Sequence, residues 1–188
     1  MYAGPPNTPH WEAREDASHE VLVALYLRDA LGIVDPTGLP RMLGTGLPER
    51  EPAEQAMVLG WLRWWIPMIE PDAHRWGFPD ADDPFLAAVR RHLDSARTWA
   101  AVANEQQSDS AKERMMRGDD FALAQLVKEN ELALGRASRP FRLRIEVLPL
   151  AASGIWWIGD DAIAVDETTR NEPIMYRDAL ASVVEQLV

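Results

Sequence analysis

The chain has 188 residues, of which 47% are hydrophobic, and it carries a formal net charge of −11. This composition is typical of a folded globular protein and excludes the weakly hydrophobic, highly charged disordered class. The acidic balance disfavours a nucleic-acid partner, because a phosphate backbone is normally bound by a basic surface. With no Cys in the sequence, disulfides, thiolate metal ligands and a cysteine nucleophile are excluded.

The first ten residues lack the basic start and apolar run of a signal peptide. No apolar stretch approaches the roughly 20 residues that a membrane-spanning helix needs. We therefore expect a cytoplasmic protein with no membrane partner.

Hydrophobic residues recur with a helical period before Pro140. Thr8 and Pro9 indicate an N-cap and a first turn, Pro67 should end or kink the second helix, and Asp83 should cap the third. Between the first two helices, residues 35–52 are dense in Gly and Pro and predict an irregular connection, either a lid or a surface strap. The predicted helices span about residues 9–32, 52–66 and 84–105, then a short piece at 111–116, and a fourth main helix that ends at Gly135.

After Pro140 the hydrophobic period changes to two, which indicates β-structure. Strands are predicted at about residues 141–148, 155–158 and 162–166, and the turn at 159–161 should join the last two as a hairpin. A final helix should open at residues 171–173. The predicted fold is α+β in a single domain, residues 1–188. A helical layer (about 9–135) precedes a three-stranded antiparallel meander and a C-terminal helix packed on one sheet face (about 140–188).

Tryptophan is the most distinctive residue type of the sequence. Trp61, Trp64 and Trp65 lie on one wide apolar arc of the second helix, which predicts core packing, an interface with a second copy or a partner, or a ligand pocket lined by these rings. Trp156 and Trp157 are adjacent in a strand, so they must point to opposite faces of the sheet. One of them should cover the helical layer, and the other needs a second cover or a binding partner.

The remaining candidates for chemistry are charged or titratable. Arg142 and Arg144 share one face of the first predicted strand and could bind an anion or pair with neighbouring acids. His74 stands among Asp72, Asp80, Asp82 and Asp83, but their spacing does not match a calcium loop. His92 lies on the apolar face of the third helix. No motif predicts a metal, a cofactor or a catalytic set.

Three functions are compatible with these patterns. The leading hypothesis is a non-enzymatic protein that acts through contact with a protein partner or with a second copy of itself, using the tryptophan surfaces. The first alternative is a small-molecule-binding protein or hydrolytic enzyme. Its pocket would lie between helices and sheet, with residues 35–52 as a lid and His74 or His92 as the titrating group. The second alternative is an acidic inhibitor or immunity-type protein that neutralises a basic partner, whose association would weaken with salt.

Overall fold

A four-stranded mixed β-sheet separates two groups of helices. The computed structural model describes residues 11–34, 36–70, 83–118 and 121–188, and the elements below lie within these ranges. The elements in chain order are β1 (Glu12–Asp16), α1 (His19–Ala30), α2 (Gln55–Ile69), α3 (Pro84–Arg117), α4 (Ala122–Leu134), β2 (Arg142–Leu148), β3 (Ile155–Gly159), β4 (Ala162–Asp166), α5 (Glu167–Asn171) and α6 (Pro173–Leu187).

The sheet has the strand order β1-β2-β4-β3, in which β1, β2 and β4 are parallel and β3 is antiparallel to β4. The predicted α+β class and the β3–β4 hairpin are confirmed. The predicted three-stranded antiparallel meander is wrong, because β2 pairs with β4 rather than with β3. Every residue of β4 is buried, as expected for a strand that is covered on both faces and paired on both edges.

The strand β1 lies where the first helix was predicted to begin. The observed helix α1 begins only at His19. Trp11, just before β1, stacks on Phe141 with ring centroids 5.7 Å apart. The parallel partner β2 lies about 130 residues further along the chain, as in the pairing of Glu12 with Arg142, so no local pattern reveals it. Because this edge strand is rich in charged residues, the alternation of hydrophobic and polar residues that marks a strand is not visible in its sequence. Charges on an edge strand also keep other chains from pairing with it. The predicted cap at Thr8 and Pro9 lies outside the described residues.

Two hydrophobic cores lie on opposite faces of the sheet. Leu143, Ile145 and Val147 of β2 pack in the core formed with α4 and α6. Leu148 of β2 and Ala164 of β4 pack in the other core, with α1, α2 and α3. The fourth helix therefore joins the C-terminal helix rather than the N-terminal layer, which corrects the predicted one-sided arrangement.

Two helices extend beyond their predicted ends. The helix α2 continues through Pro67 to Ile69, where the guanidinium of Arg144 donates to the carbonyl oxygens of Met68 and Ile69. The helix α3 is continuous for 34 residues, so the predicted end near residue 105 is wrong and the predicted piece at 111–116 belongs to α3. Asp83 caps its start through the Phe85 amide, and Gly118 ends it in the left-handed conformation.

A buried ion pair between Arg28 and Asp29 at the end of α1 holds the segment that follows. Arg28 donates to the carbonyl oxygens of Leu39 and Pro40, and the Asp29 carboxylate accepts the Met42 amide at 2.7 Å. These contacts secure residues 39–42 against the body of the protein.

Candidate functional site

A cavity of about 560 Å³ lies at the carboxyl ends of β1 and β2, between α3 and α5, and is called the strand-end cavity below. The polar side chains that line it include Glu15 and Asp16 from β1, Gln107, Lys112 and Arg114 from α3, and Arg170 from α5. In open sheets with parallel strands, ligands bind in crevices outside the carboxyl ends of those strands. The cavity therefore has the position at which such sheets commonly bind ligands.

Glu15 binds two buried arginines in this cavity. Its Oε1 accepts Arg114 Nη2 at 2.9 Å, and its Oε2 accepts Arg170 Nε at 2.8 Å. Both guanidinium-bearing side chains are 3% exposed, whereas the Glu15 side chain keeps 29% of its surface exposed. These bonds connect β1, α3 and α5, so the polar wall is held by three elements that are distant in sequence.

The arginines have further contacts that fix their orientation. Arg114 Nη1 donates to Asn171 Oδ1 at 2.9 Å. The Arg170 guanidinium carbon lies 4.4 Å from the centroid of the Tyr176 ring, a cation–π contact. The two guanidinium groups are thus held on a rigid frame.

Two buried polar atoms of the cavity-lining residues have no hydrogen-bond partner among the described residues. They are the amide oxygen of Gln107 and the Nε of Arg114, both on α3. Buried polar atoms are almost always satisfied in folded proteins, and an exception calls for a physical explanation. An absent ligand group is one such explanation at a cavity wall.

The mouth of the cavity carries an exposed ammonium group. Lys112 Nζ lies 2.8 Å from Asp109 Oδ1, and the hydrogen bond and charge of Asp109 raise the pKa of Lys112 above its ordinary value. Lys112 is therefore protonated at neutral pH and adds a positive charge beside the buried arginines.

The tryptophans predicted as a binding surface have different positions. Trp61 and Trp65 are buried in the core under α1, with their rings stacked at 5.0 Å, and Trp61 Nε1 donates to the Ala24 carbonyl oxygen. Trp64 is half-buried at the edge of the same core. Trp61 and Trp65 thus offer no surface to a partner in this fold, as the core-packing interpretation predicts.

Trp156 and Trp157 point to opposite sides of the sheet, as the period of a strand predicts. Trp156 packs against the core of α1, α2 and α3, and Trp157 packs against the core of α4 and α6. Both are half-buried. The second cover that the sequence requires is thus supplied by α4 and α6.

Arg142 and Arg144 do not form one anion site. Arg142 is exposed at the start of β2, whereas Arg144 caps the end of α2 and lies 3.7 Å from the buried Glu146. Glu146 accepts the amide and the hydroxyl of Ser18, which fixes the start of α1 on the sheet. These contacts give Arg144 a structural role.

Among the described residues, neither His92 nor the predicted lid segment, residues 35–52, lines the cavity. His92 is half-buried on α3. Burial, followed by the charges of Arg50 and Arg91, lowers the pKa of His92. His74, Asp72, Asp80 and Asp82 lie outside the described residues.

The part of α3 that lines the strand-end cavity was not predicted from the sequence, because the third helix was expected to end near residue 105. Asn104, Gln107, Ala111 and Arg114 follow one another at spacings of three and four residues, so they share one face of α3. A polar stripe at helical spacing that includes an arginine could have indicated a polar wall. Its contact with Glu15 and Arg170 depends on tertiary structure and has no local signal.

Comparison with protein-family models, curated proteins and solved structures finds no match for this chain. None of the described helices is long and apolar enough to cross a membrane. In the described ranges, no cluster of three or more His, Asp or Glu side chains could hold a metal ion.

Proposed function

We propose that this protein binds a small polar molecule in the strand-end cavity. The observation that carries the proposal is the pair of buried arginines, Arg114 and Arg170, held by Glu15 on the wall of an open cavity. The volume of about 560 Å³ falls within the range of small-molecule sites, roughly 300–1,000 Å³. Convergent polar groups on a rigid frame are what such sites use for orientation and specificity.

Binding is favoured over the hydrolytic alternative by the lining itself. Ser108 lines the cavity, but no His from the described ranges stands beside it as a base. An activated serine needs such a base within hydrogen-bond reach. The described lining therefore supports recognition of a ligand and offers no serine–histidine pair.

The proposal is tested by a variant that places a large side chain at the mouth of the cavity. Ala111 is exposed and lines the cavity, so Ala111→Trp should block the cavity while the fold is kept. Ala101→Trp, on an exposed position of the same helix away from the cavity, is the matched control. In a thermal-shift screen of polar metabolites, we expect compounds that raise the melting temperature of wild type and of Ala101→Trp but not of Ala111→Trp. Equal responses of all three proteins would contradict the proposal.

Protein contact is a second candidate function, and exposed apolar side chains support it. Met115 and Met116 at the end of α3 and Ile174 and Met175 at the start of α6 are exposed, with 77% exposure at Met116 and at Ile174. The bond from Arg114 to Asn171 brings these two helix ends together. Exposed apolar clusters are typical of interaction surfaces.

A Met116→Glu, Ile174→Glu double variant should lose any dimer that sedimentation of the wild type detects, and an unchanged dimer would contradict this candidate.

A further inference from the structure

We infer that the ligand of the strand-end cavity carries an oxyanion beside a hydrogen-bond donor, and that Arg114 and Gln107 bind these two groups. The oxyanion is a carboxylate or a phosphate, and the donor is a hydroxyl or an amino group. This inference rests on the proposed function and names the chemical class of its ligand.

Gln107 has an amide oxygen to which none of the described protein residues donates. Its residue is only 4% exposed, it lines the cavity, and its amide oxygen has no hydrogen-bond partner. A carbonyl oxygen can only accept, so the missing group must carry an N–H or O–H. A hydroxyl or amino group of a ligand in the cavity provides one.

Arg114 has a free donor at the same wall, as far as the described residues show. Its two terminal nitrogens donate to Glu15 and Asn171, and its Nε–H has no partner among the described residues. A guanidinium is always charged, and its strongest bonds are to carboxylates and phosphates. Protonated Lys112 at the mouth adds a second cationic donor. The acceptor that fits this end of the cavity is an oxyanion.

The spacing of the two residues sets the size of the ligand. Gln107 and Arg114 are seven residues apart, so their backbones are separated by about 10 Å along the helix axis, and they lie on the same face. A ligand that contacts both side chains must therefore carry its donor and its oxyanion at different ends, as a sugar phosphate does. The cavity has room for such a molecule.

A Gln107→Met variant distinguishes whether Gln107 contacts a ligand or stabilises the fold. Methionine has nearly the same shape and does not leave an unsatisfied oxygen, so the ligand-free variant should melt at the wild-type temperature or about 2–4 °C higher. Gln106→Met, at the neighbouring exposed position, should melt as the wild type does. A Gln107→Met protein that melts clearly below the wild type would show that Gln107 stabilises the fold, which would overturn the inference.

The ligand class is tested with L-malate, glucose 6-phosphate and glucose as probes in thermal-shift measurements. We expect a shift from at least one of the two oxyanions, at least a tenfold weaker apparent affinity in Gln107→Met, and no shift from glucose at equal concentration. A shift from malate alone or from the phosphate alone identifies which oxyanion the site prefers. A shift from glucose that matches or exceeds those of the oxyanions overturns the inference and leaves the proposed function standing. No shift from any probe also overturns the inference, whereas the proposed function is judged separately by the Ala111→Trp comparison.

Discussion

At the scale of single residues, Glu15 holds the polar wall of the strand-end cavity together. Its carboxylate is the shared acceptor of Arg114 and Arg170, whose side chains are almost fully buried. Sequence patterns pointed to the tryptophans instead, because a hydrophobic surface is readable from helical spacing. The partners of a charged residue on an edge strand are set by the tertiary structure, so Glu15 could not be identified from the sequence.

Replacing Glu15 tests this role. Glu15→Gln keeps the shape of the side chain but leaves two buried guanidinium groups without this carboxylate, so we expect the free energy of unfolding to fall by about 3 kcal/mol. Glu12→Gln, on an exposed position of β1, should change it by less than about 0.5 kcal/mol. Urea unfolding of the two variants measures both values, and equal effects would show that the Glu15 bonds contribute nothing.

The lowered pKa of His92 predicts a pH dependence of stability. Burial, then the charges of Arg50 and Arg91, place the folded-state pKa below the ordinary value of 6.5, so the unfolded chain binds the proton more tightly. The contribution of His92 to stability is full above pH 6.5 and is lost as the pH falls from 6.5 through the folded-state pKa. Between about pH 7.5 and 5.5, His92→Gln should therefore lose less stability than wild type in urea unfolding. Identical losses would contradict this account of His92.

At the scale of elements, α2 and α3 pack closely at Gly60. A Cβ at this position would lie 2.6 Å from Cγ of the buried Phe85, so only glycine fits without a shift. A glycine in the middle of an apolar helix is a sequence signal of close packing, although its partner is not readable.

Gly60→Ala should lower the free energy of unfolding by about 1–2 kcal/mol. The overlap with Phe85 is expected to outweigh the better helix propensity of alanine, which favours the variant by up to about 1 kcal/mol. Leu59→Ala, on the adjacent exposed position, should have a much smaller effect. Chemical denaturation checks both variants, and a stabilised Gly60→Ala would contradict the close contact.

The elements themselves were predicted unevenly, for physical reasons. The strands β2, β3 and β4 and the cap at Asp83 follow from local chemistry, and the structure confirms them. The strand β1 and the second half of α3 were missed, since their polar residues acquire their roles only from distant partners such as Arg170. These two elements form much of the candidate site. Local sequence patterns therefore predicted the architecture more completely than they predicted the candidate site.

At the scale of the whole molecule, the sheet belongs to both hydrophobic cores. Adjacent residues of β4 serve opposite sides, with Ile163 in the core of α4 and α6 and Ala164 in the core of α1, α2 and α3. If the sheet unfolds, both hydrophobic cores are exposed to water, so the two cores cannot unfold separately. The α+β class could be inferred from the change of period at Pro140, but the order of the strands could not.

The shared sheet predicts one cooperative unfolding transition for residues 1–188. Far-ultraviolet circular dichroism reports mainly the helices, and tryptophan fluorescence reports rings that include Trp61 in one core and Trp157 near the other. We expect the two signals to change at the same temperature. Two separated transitions would show that the cores unfold independently, against a single-domain organisation.

Native mass spectrometry of the purified wild type beside Ala111→Trp tests whether the strand-end cavity binds a small oxyanion. We predict that the wild type retains an added mass, that this mass ionises as an anion once released, and that Ala111→Trp loses it. A wild type that carries no added mass even with the oxyanion probes present, or an Ala111→Trp protein that carries the same mass as wild type, would contradict the claim.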